Sequence, residues 1–308
     1  MRKAMPSSPS SPYLNTTQAA QALGVSVSTV KRWVDEGVLP AHRTAGGHRK
    51  LLRAEVLALA RQGEVPQGDW AALTGLPFKG PPADLGTAAL ELAKALLHGQ
   101  GAEVRGIIGG LYAAGVSVEA LADRVIAPAL AVVGHDWENG KIDIWQEHRG
   151  TQLCAGALFE LRKDLELRAE KNRPVAVGAA PAGDPYLLPT LLAQYVLLDA
   201  GWEAVNLGPN TPLGSLEQAV RQLRPRLLWL SVSYLEDEAS FLHAYQALYR
   251  VAEGEGIAVA VGGRALAPAL RSDMPYTTYG DRLEHLAAFA RTLHPRPKRP
   301  KWGRPRRM

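Results

Sequence analysis

Residues Leu14 to Arg53 run LNTTQAAQALGVSVSTVKRWVDEGVLPAHRTAGGHRKLLR. Ala19, Ala20 and Leu23 recur at helical spacing behind Thr16 or Thr17, either of which suits an N-cap, and Gly24 ends that helix. Ser26 or Ser28 then caps a second helix, expected over Thr29–Glu36. Two short helices joined by a tight turn make a helix-turn-helix. The second one opens near Ser28 and carries Thr29, Lys31, Arg32 and Trp33. A helix of this size enters the DNA major groove, where exposed polar side chains reach base edges. Beyond Gly37 and Pro40 come Arg43, then Gly46-Gly47, a hairpin turn signal, then His48, Arg49 and Lys50. That pattern predicts a basic β-ribbon, a wing placed to grip phosphates. A small helical domain with a solvated charged face is the plainer alternative. The basic wing at close spacing favours double-stranded DNA as the partner.

The same fifty residues resemble the winged-helix domain of the MerR family. The motif stands here as Glu36-Gly37-Val38-Leu39-Pro40 and Gly46-Gly47-His48-Arg49.

Charge sets this head apart from the middle of the chain. The formal net charge is +5, with +5 in residues 1–64, +7 in 294–308 and −7 between them. Basic ends around an acidic middle place the DNA contact in the head and give the middle another task. At 308 residues, two to three domains are expected. No apolar run reaches membrane-spanning length, and MRKAMPSSPSSP lacks the apolar core of a secretory signal. A single cysteine, Cys154, excludes an internal disulfide framework. These features fit a cytoplasmic chain with no membrane partner.

In order along the chain, residues 1–12 are expected to be disordered and 13–63 to form the winged helix. Residues 62–83, rich in Gly and Pro, read as a linker, so the next domain starts near 84. Apolar-periodic segments at Thr87–His98, Ala102–Ala114, Val118–Gly134 and Ile144–Glu170 predict a four-helix bundle over 84–170. On the last of these, Glu147 heads a stripe of Thr151, Cys154, Leu158 and Leu161, an unusual place for a carboxylate. From 174 to 293 strands alternate with helices: Val175–Ala180, Glu203–Leu207, Leu227–Ser231, Ala258–Val261 and Tyr276–Tyr279. That alternation predicts a doubly wound parallel sheet, Rossmann-like with flavodoxin-like order, so the overall class is α + α/β. Its ligand belongs outside the carboxyl ends of the strands, where the loops 181–186, 208–211, 231–233 and 262–263 fall. Residues 294–308 are basic and Pro-rich, either a solvated end or a non-specific phosphate contact.

A helical bundle followed by an α/β domain resembles the cobalamin-binding module of methionine synthase type. Joined to the MerR-like head, the order of domains resembles the CarH/LitR family of light-sensing repressors. The resemblance implies a photoreceptor that binds adenosylcobalamin between bundle and α/β domain, is a dimer or tetramer on its operator, and releases DNA in light. The family's bundle signature, Trp, nine residues, Glu-His, stands here as Trp137, Glu147 and His148. By resemblance Trp137 packs on the upper ligand, Glu147 hydrogen-bonds it, and His148 lines the same face. The α/β signature is met by Asp184 and by the Ser231-Val232-Ser233 and Gly262-Gly263 elements. The cobalt-ligating His, however, is replaced by Tyr186 and the following Gly by Pro189, so no metal ligand is assigned. The His that comes directly after the Trp in light-sensing members is Glu138 here.

Three readings are open at this point. Cobalamin binds with its own dimethylbenzimidazole as lower ligand (base-on). Or the module binds another tetrapyrrole: haem through Tyr186 or a His, or a bilin attached at Cys154. Or it binds no cofactor and acts through protein contacts. An enzyme is not expected: no substrate domain fits in the chain, and the histidines lack metal-site spacing.

Overall fold

A computed structural model describes residues 13–43, 48–60, 84–166 and 172–295. The expectations for 1–12, for the Gly46-Gly47 turn, for the linker and for the tail beyond 295 lie outside these residues. The described chain divides into two compact units, 13–117 with 124–166, and 118–123 with 172–295.

The first unit opens with β1 (Tyr13–Asn15), α1 (Thr16–Leu23), α2 (Val27–Asp35), β2 (Ala41–Arg43), β3 (Arg49–Leu52) and α3 (Arg53–Ala60). Asn15, not Thr16 or Thr17, caps α1. Its side chain accepts from the Gln18 amide at 2.8 Å, while Gln18 Oε1 accepts from the Asn15 amide at 3.0 Å. That reciprocal pair needs an amide or acid three residues on, which only Asn15 has. Gly24 ends α1 in the left-handed region at φ 65°, as a C-terminal glycine does. Ser26 caps α2 through the Thr29 amide, so Ser28 lies inside the helix. Ala19, Ala22, Leu23, Val30 and Leu51 bury together as the core of the head. The wing strands β2 and β3 pair antiparallel, and β1 joins the free edge of β3. That third strand, three residues long, is too short to show a period of two.

The same unit holds α4 (Leu85–Leu97), α5 (Gly101–Ala113), α7 (Ala127–Glu138) and α8 (Ile144–Glu166), packed as a bundle. Leu92, Leu96, Val104, Ile108, Leu111, Val133, Leu158 and Leu161 fill it. The helix expected over Val118–Gly134 is present but changes its hydrogen-bond register within the run. A one-turn α6 (Val118–Leu121) leads into a π-helical turn, Ala122–Ile126, before α7 begins. Pro128 lacks an N–H to give and crowds the Arg124 carbonyl, so the ladder cannot run through unbroken. The first six residues of that segment, 118–123, belong to the second unit. The bundle's sequence boundary at 84–170 therefore differs from the division seen.

The second unit is a five-stranded parallel sheet in the order β5-β4-β6-β7-β8. Its strands are β4 (Val175–Ala179), β5 (Glu203–Asn206), β6 (Leu227–Ser231), β7 (Ala258–Gly262) and β8 (Thr278–Gly280). The helices are α9 (Leu187–Asp199), α10 (Leu213–Leu223), α11 (Glu238–Gly254), α12 (Pro268–Ser272) and α13 (Leu283–Leu293). Only α12, five residues long, was not legible by periodicity. Leu228, Leu230, Val259 and Val261 point to one face and join Leu216, Val220, Tyr245 and Leu248 in a core cluster. The alternate residues form two rows on the other face. The lower row, in register, is Asn206, Gly178, Trp229, Ala260 and Thr278; the upper is Ser231, Gly262 and Gly280. A Cβ on Gly178 would overlap the indole of Trp229. Glycine there is a packing requirement.

Candidate functional site

In the head, Ser28, Lys31, Arg32 and Asp35 are exposed at i, i+3, i+4 and i+7, one stripe of α2. Thr29 and Trp33 are half-buried. The Ser28 and Thr29 hydroxyls lie 2.7 and 2.8 Å from the capping Ser26 Oγ, so the start of the stripe is prearranged. The Trp33 carbonyl accepts from Val38 and Leu39 and fixes the turn into the wing. On the wing His48 is exposed and Lys50 half-buried, with Lys50 paired to His42 and Asn15 in the sheet. Arg43 pairs with Arg49 across the ribbon.

Arg49, expected as a phosphate contact, is paired within the head. Its Nη2 donates to Asp35 Oδ1 at 2.7 Å and Oδ2 at 3.0 Å. The side chain is 21% exposed against 53% for Asp35. The guanidinium buckles the wing to the last turn of α2. Sequence separation of fourteen residues hid this pairing.

In the bundle, Trp137 ends α7 with its ring 43% exposed. Glu147 lies in the first turn of α8, where it accepts from the Thr151 hydroxyl at 3.0 Å. His148 Nε2 lies 3.6 Å from its other oxygen and is 70% exposed. The carboxylate is thus oriented and still 29% exposed, able to take hydroxyl donors. Nearby in sequence, Trp145 is 56% exposed under the Arg149 guanidinium, 4.9 Å from the ring centre. Arg149 also donates to the Leu97 carbonyl at 2.8 Å, which holds α8 to the end of α4. The i, i+4 spacing of Trp145 and Arg149 was the available signal. Cys154 is fully buried, and burial pushes its thiol up to about 12. A bilin attachment needs a reachable thiolate, so Cys154 does not serve.

In the α/β unit Asp184 is fully buried and fully committed. One oxygen accepts from the Tyr186 amide at 3.0 Å; the other accepts from Ser233 at 2.6 Å and Tyr234 at 3.3 Å. It ties the loop after β4 to the loop after β6. Tyr186 is 44% exposed and covered by the Arg264 guanidinium at 4.9 Å. Arg264 in turn donates to the Ser233 carbonyl at 3.1 Å. Ser231, Gly262 and Gly263 line a groove of about 180 Å³ with Trp229, Gly280 and Leu286. At φ +122°, with the Val232 carbonyl in the way of any Cβ, position 263 accepts only glycine. Asp184, Tyr186 and Ser233 lie outside the groove's lining. Asp123, missed in the sequence, caps α13 by accepting from Leu283 at 3.0 Å and Glu284 at 2.9 Å. No local signal marks a cap 160 residues away.

The donor set bears on a cofactor. Among the described residues no three His, Cys, Asp or Glu converge as a metal site. The loop that precedes α9 offers a phenol where an imidazole would ligate a metal. The Ser-Gly-Gly upper row, free of large side chains, suits close approach of a flat ligand's edge.

Two protein families match the chain: a helix-turn-helix domain over residues 13–64 and a B12 binding domain over 89–162. The HTH-type transcriptional repressor CarH of Myxococcus xanthus is 28% identical over 266 residues, 80% of this chain and 87% of that protein. In sequence the chain is thus similar to CarH over most of the length of both. The repressor CarA of the same organism is 29% identical over 116 residues, 38% of either chain. Among solved structures, the monomethylamine corrinoid protein of Methanosarcina barkeri matches at a TM-score of 0.56 and 16% identity, covering 66% of this chain and 97% of its own. That likeness establishes the α plus α/β fold.

Proposed function

We propose that the protein is a DNA-binding transcriptional repressor whose corrinoid-binding part sets how many helix-turn-helix heads hold one operator. The observation that carries this reading is a pairing within one chain. An exposed Ser28-Lys31-Arg32 stripe stands on a groove-sized helix, residues 89–162 match a B12 binding domain, and a parallel sheet presents Ser231, Gly262 and Gly280 at its carboxyl rim. Its role is regulatory, not catalytic, and no helix among the described residues is long and apolar enough to cross a membrane.

Adenosylcobalamin is the cofactor this reading assigns, and when bound it supplies a cobalt–carbon bond that light cleaves. The chain's own residues then bind and orient. Glu147, held by Thr151, accepts ribose hydroxyls; Trp137 offers its exposed ring; the small upper row admits the corrinoid's edge. Tyr186, a phenol in place of an imidazole, would give the cobalt no protein ligand from the loop before α9. Joining several weak heads on one particle raises affinity by effective concentration, and a ligand that binds only the joined form stabilises it by mass action.

Particle mass and operator gel shifts, measured in the dark with and without adenosylcobalamin and again after illumination, test the reading. The expected result is a larger particle and tighter DNA binding in the dark with cofactor, both lost in light. A colourless protein whose mass and DNA affinity never change would refute it and leave a regulator that acts through protein contacts.

A further inference from the structure

Trp229 is the largest side chain that lines the groove in the α/β unit. Trp229 is 2% exposed and sits two residues below Ser231 on the same sheet face. Its neighbours in the row are Gly178 and Ala260, the small side chains that let the indole lie flat on the sheet. The ring is fixed. Its Nε1 donates to Thr190 Oγ1 at 3.2 Å, and that hydroxyl donates to Asn206 Oδ1 at 3.0 Å. Pro189 and Ala193 of α9 wall the groove on one side, Leu283 and Leu286 on the other. What remains above the indole is about 180 Å³. A cavity of about 150 Å³ holds one benzene ring, and drug-sized ligands fill about 300–1,000 Å³. The space therefore suits a single ring, not a bicyclic base carried on ribose and phosphate.

Cobalamin's dimethylbenzimidazole either stays on the cobalt or leaves it and needs a slot of its own. The geometry points to Trp229 as the specificity-determining residue of this groove. Its indole fills the depth that a detached base would enter, so the chain accepts cobalamin only with that base on the metal. This inference rests on the corrinoid reading above. It also accounts for Tyr186: a chain that keeps the cofactor's own lower ligand has no use for an imidazole in the loop before α9. Tyr186 and Trp229 are then parts of one arrangement.

The experiment uses the full chain, with Trp229→Ala and, to guard against a collapsed fold, Trp229→Leu. The first arm needs no corrinoid: free 5,6-dimethylbenzimidazole is titrated against thermal unfolding. It is expected to bind the variants at least tenfold more tightly than the parent, because removing the indole opens a flat slot of matching shape. Equal binding to all three proteins would overturn the inference. The second arm reads the visible spectrum of bound cobalamin. The parent is expected to give the base-on spectrum, and Tyr186→His combined with Trp229→Leu a base-off one. A base-off spectrum from the parent would also overturn the inference. If no corrinoid binds any of the proteins, the corrinoid reading fails, and the first arm alone decides whether Trp229 is the plug.

Discussion

The Arg49–Asp35 buckle separates two accounts of the wing, and replacing each partner in turn distinguishes them. Both hydrogen bonds leave one nitrogen, Nη2, and Asp35 is 53% exposed, so the pair is not a forked, desolvated one. Exposed pairs contribute about 0.2–1 kcal/mol. If the bond serves to hold the wing at the end of α2, Asp35→Ala and Arg49→Ala each lower operator affinity about two- to fivefold. The double variant then loses no more than either single one, since one interaction has been removed in all three. A phosphate contact by Arg49 behaves otherwise. It would lower the slope of log affinity against log salt by about 0.9 when Arg49 is lost, and Asp35→Ala would tighten binding by removing a negative charge. Fluorescence anisotropy with a labelled operator across a salt series reads all of these quantities. A slope change confined to Arg49→Ala, with Asp35→Ala neutral or tighter, would refute the buckle.

Three further outcomes are expected. Asn15→Ala removes the Oδ1 acceptor that caps α1, leaves the residue-15 amide its bond to Gln18, and costs the head about 1 kcal/mol, seen as a lower thermal midpoint by circular dichroism; Thr16→Ala and Thr17→Ala leave it unmoved. Asp184→Ala strands the part-buried Ser233 and Tyr186 amides and destabilises the α/β unit by about 2 kcal/mol, measurable as faster hydrogen exchange in residues 181–186 and 231–235. The Cys154 thiol stays protonated in the folded chain up to about 12 while the unfolded chain ionises near 9.0, so its contribution to stability is intact below that lower value and is lost as pH rises between the two. Urea titrations at pH 8 and pH 10 should differ by roughly 1.4 kcal/mol from this group, and Cys154→Ala should remove that difference.

Much of the fold was legible because its signals are local. Gly24 between two apolar-periodic stretches marks the helix-turn-helix, and strands alternating with helices from Val175 onward fix a parallel sheet. The site was legible by halves. The upper row, Ser231 and Gly262, could be placed because a strand end followed by small residues is a sequence pattern. Trp229 could not be placed, since β6 is buried on both faces and a continuous apolar run hides which residues share the groove. The same limit applies to Arg49 and Asp123, whose partners lie far along the chain. The register change near Pro128 shows the opposite case: the residue responsible was in plain view, but apolar periodicity continued across it.

Gly178 and Trp229 also constrain the order in which this chain can change. Any side chain added at 178 collides with the indole and with the backbone carbonyl of Trp229, so shrinking residue 229 still leaves 178 held to glycine. Lineages that reopened the slot would have to pass through position 229 first. With glycine kept at 178 by the backbone of its neighbour, the way back to tryptophan would stay open, and each opening of the slot would remain reversible.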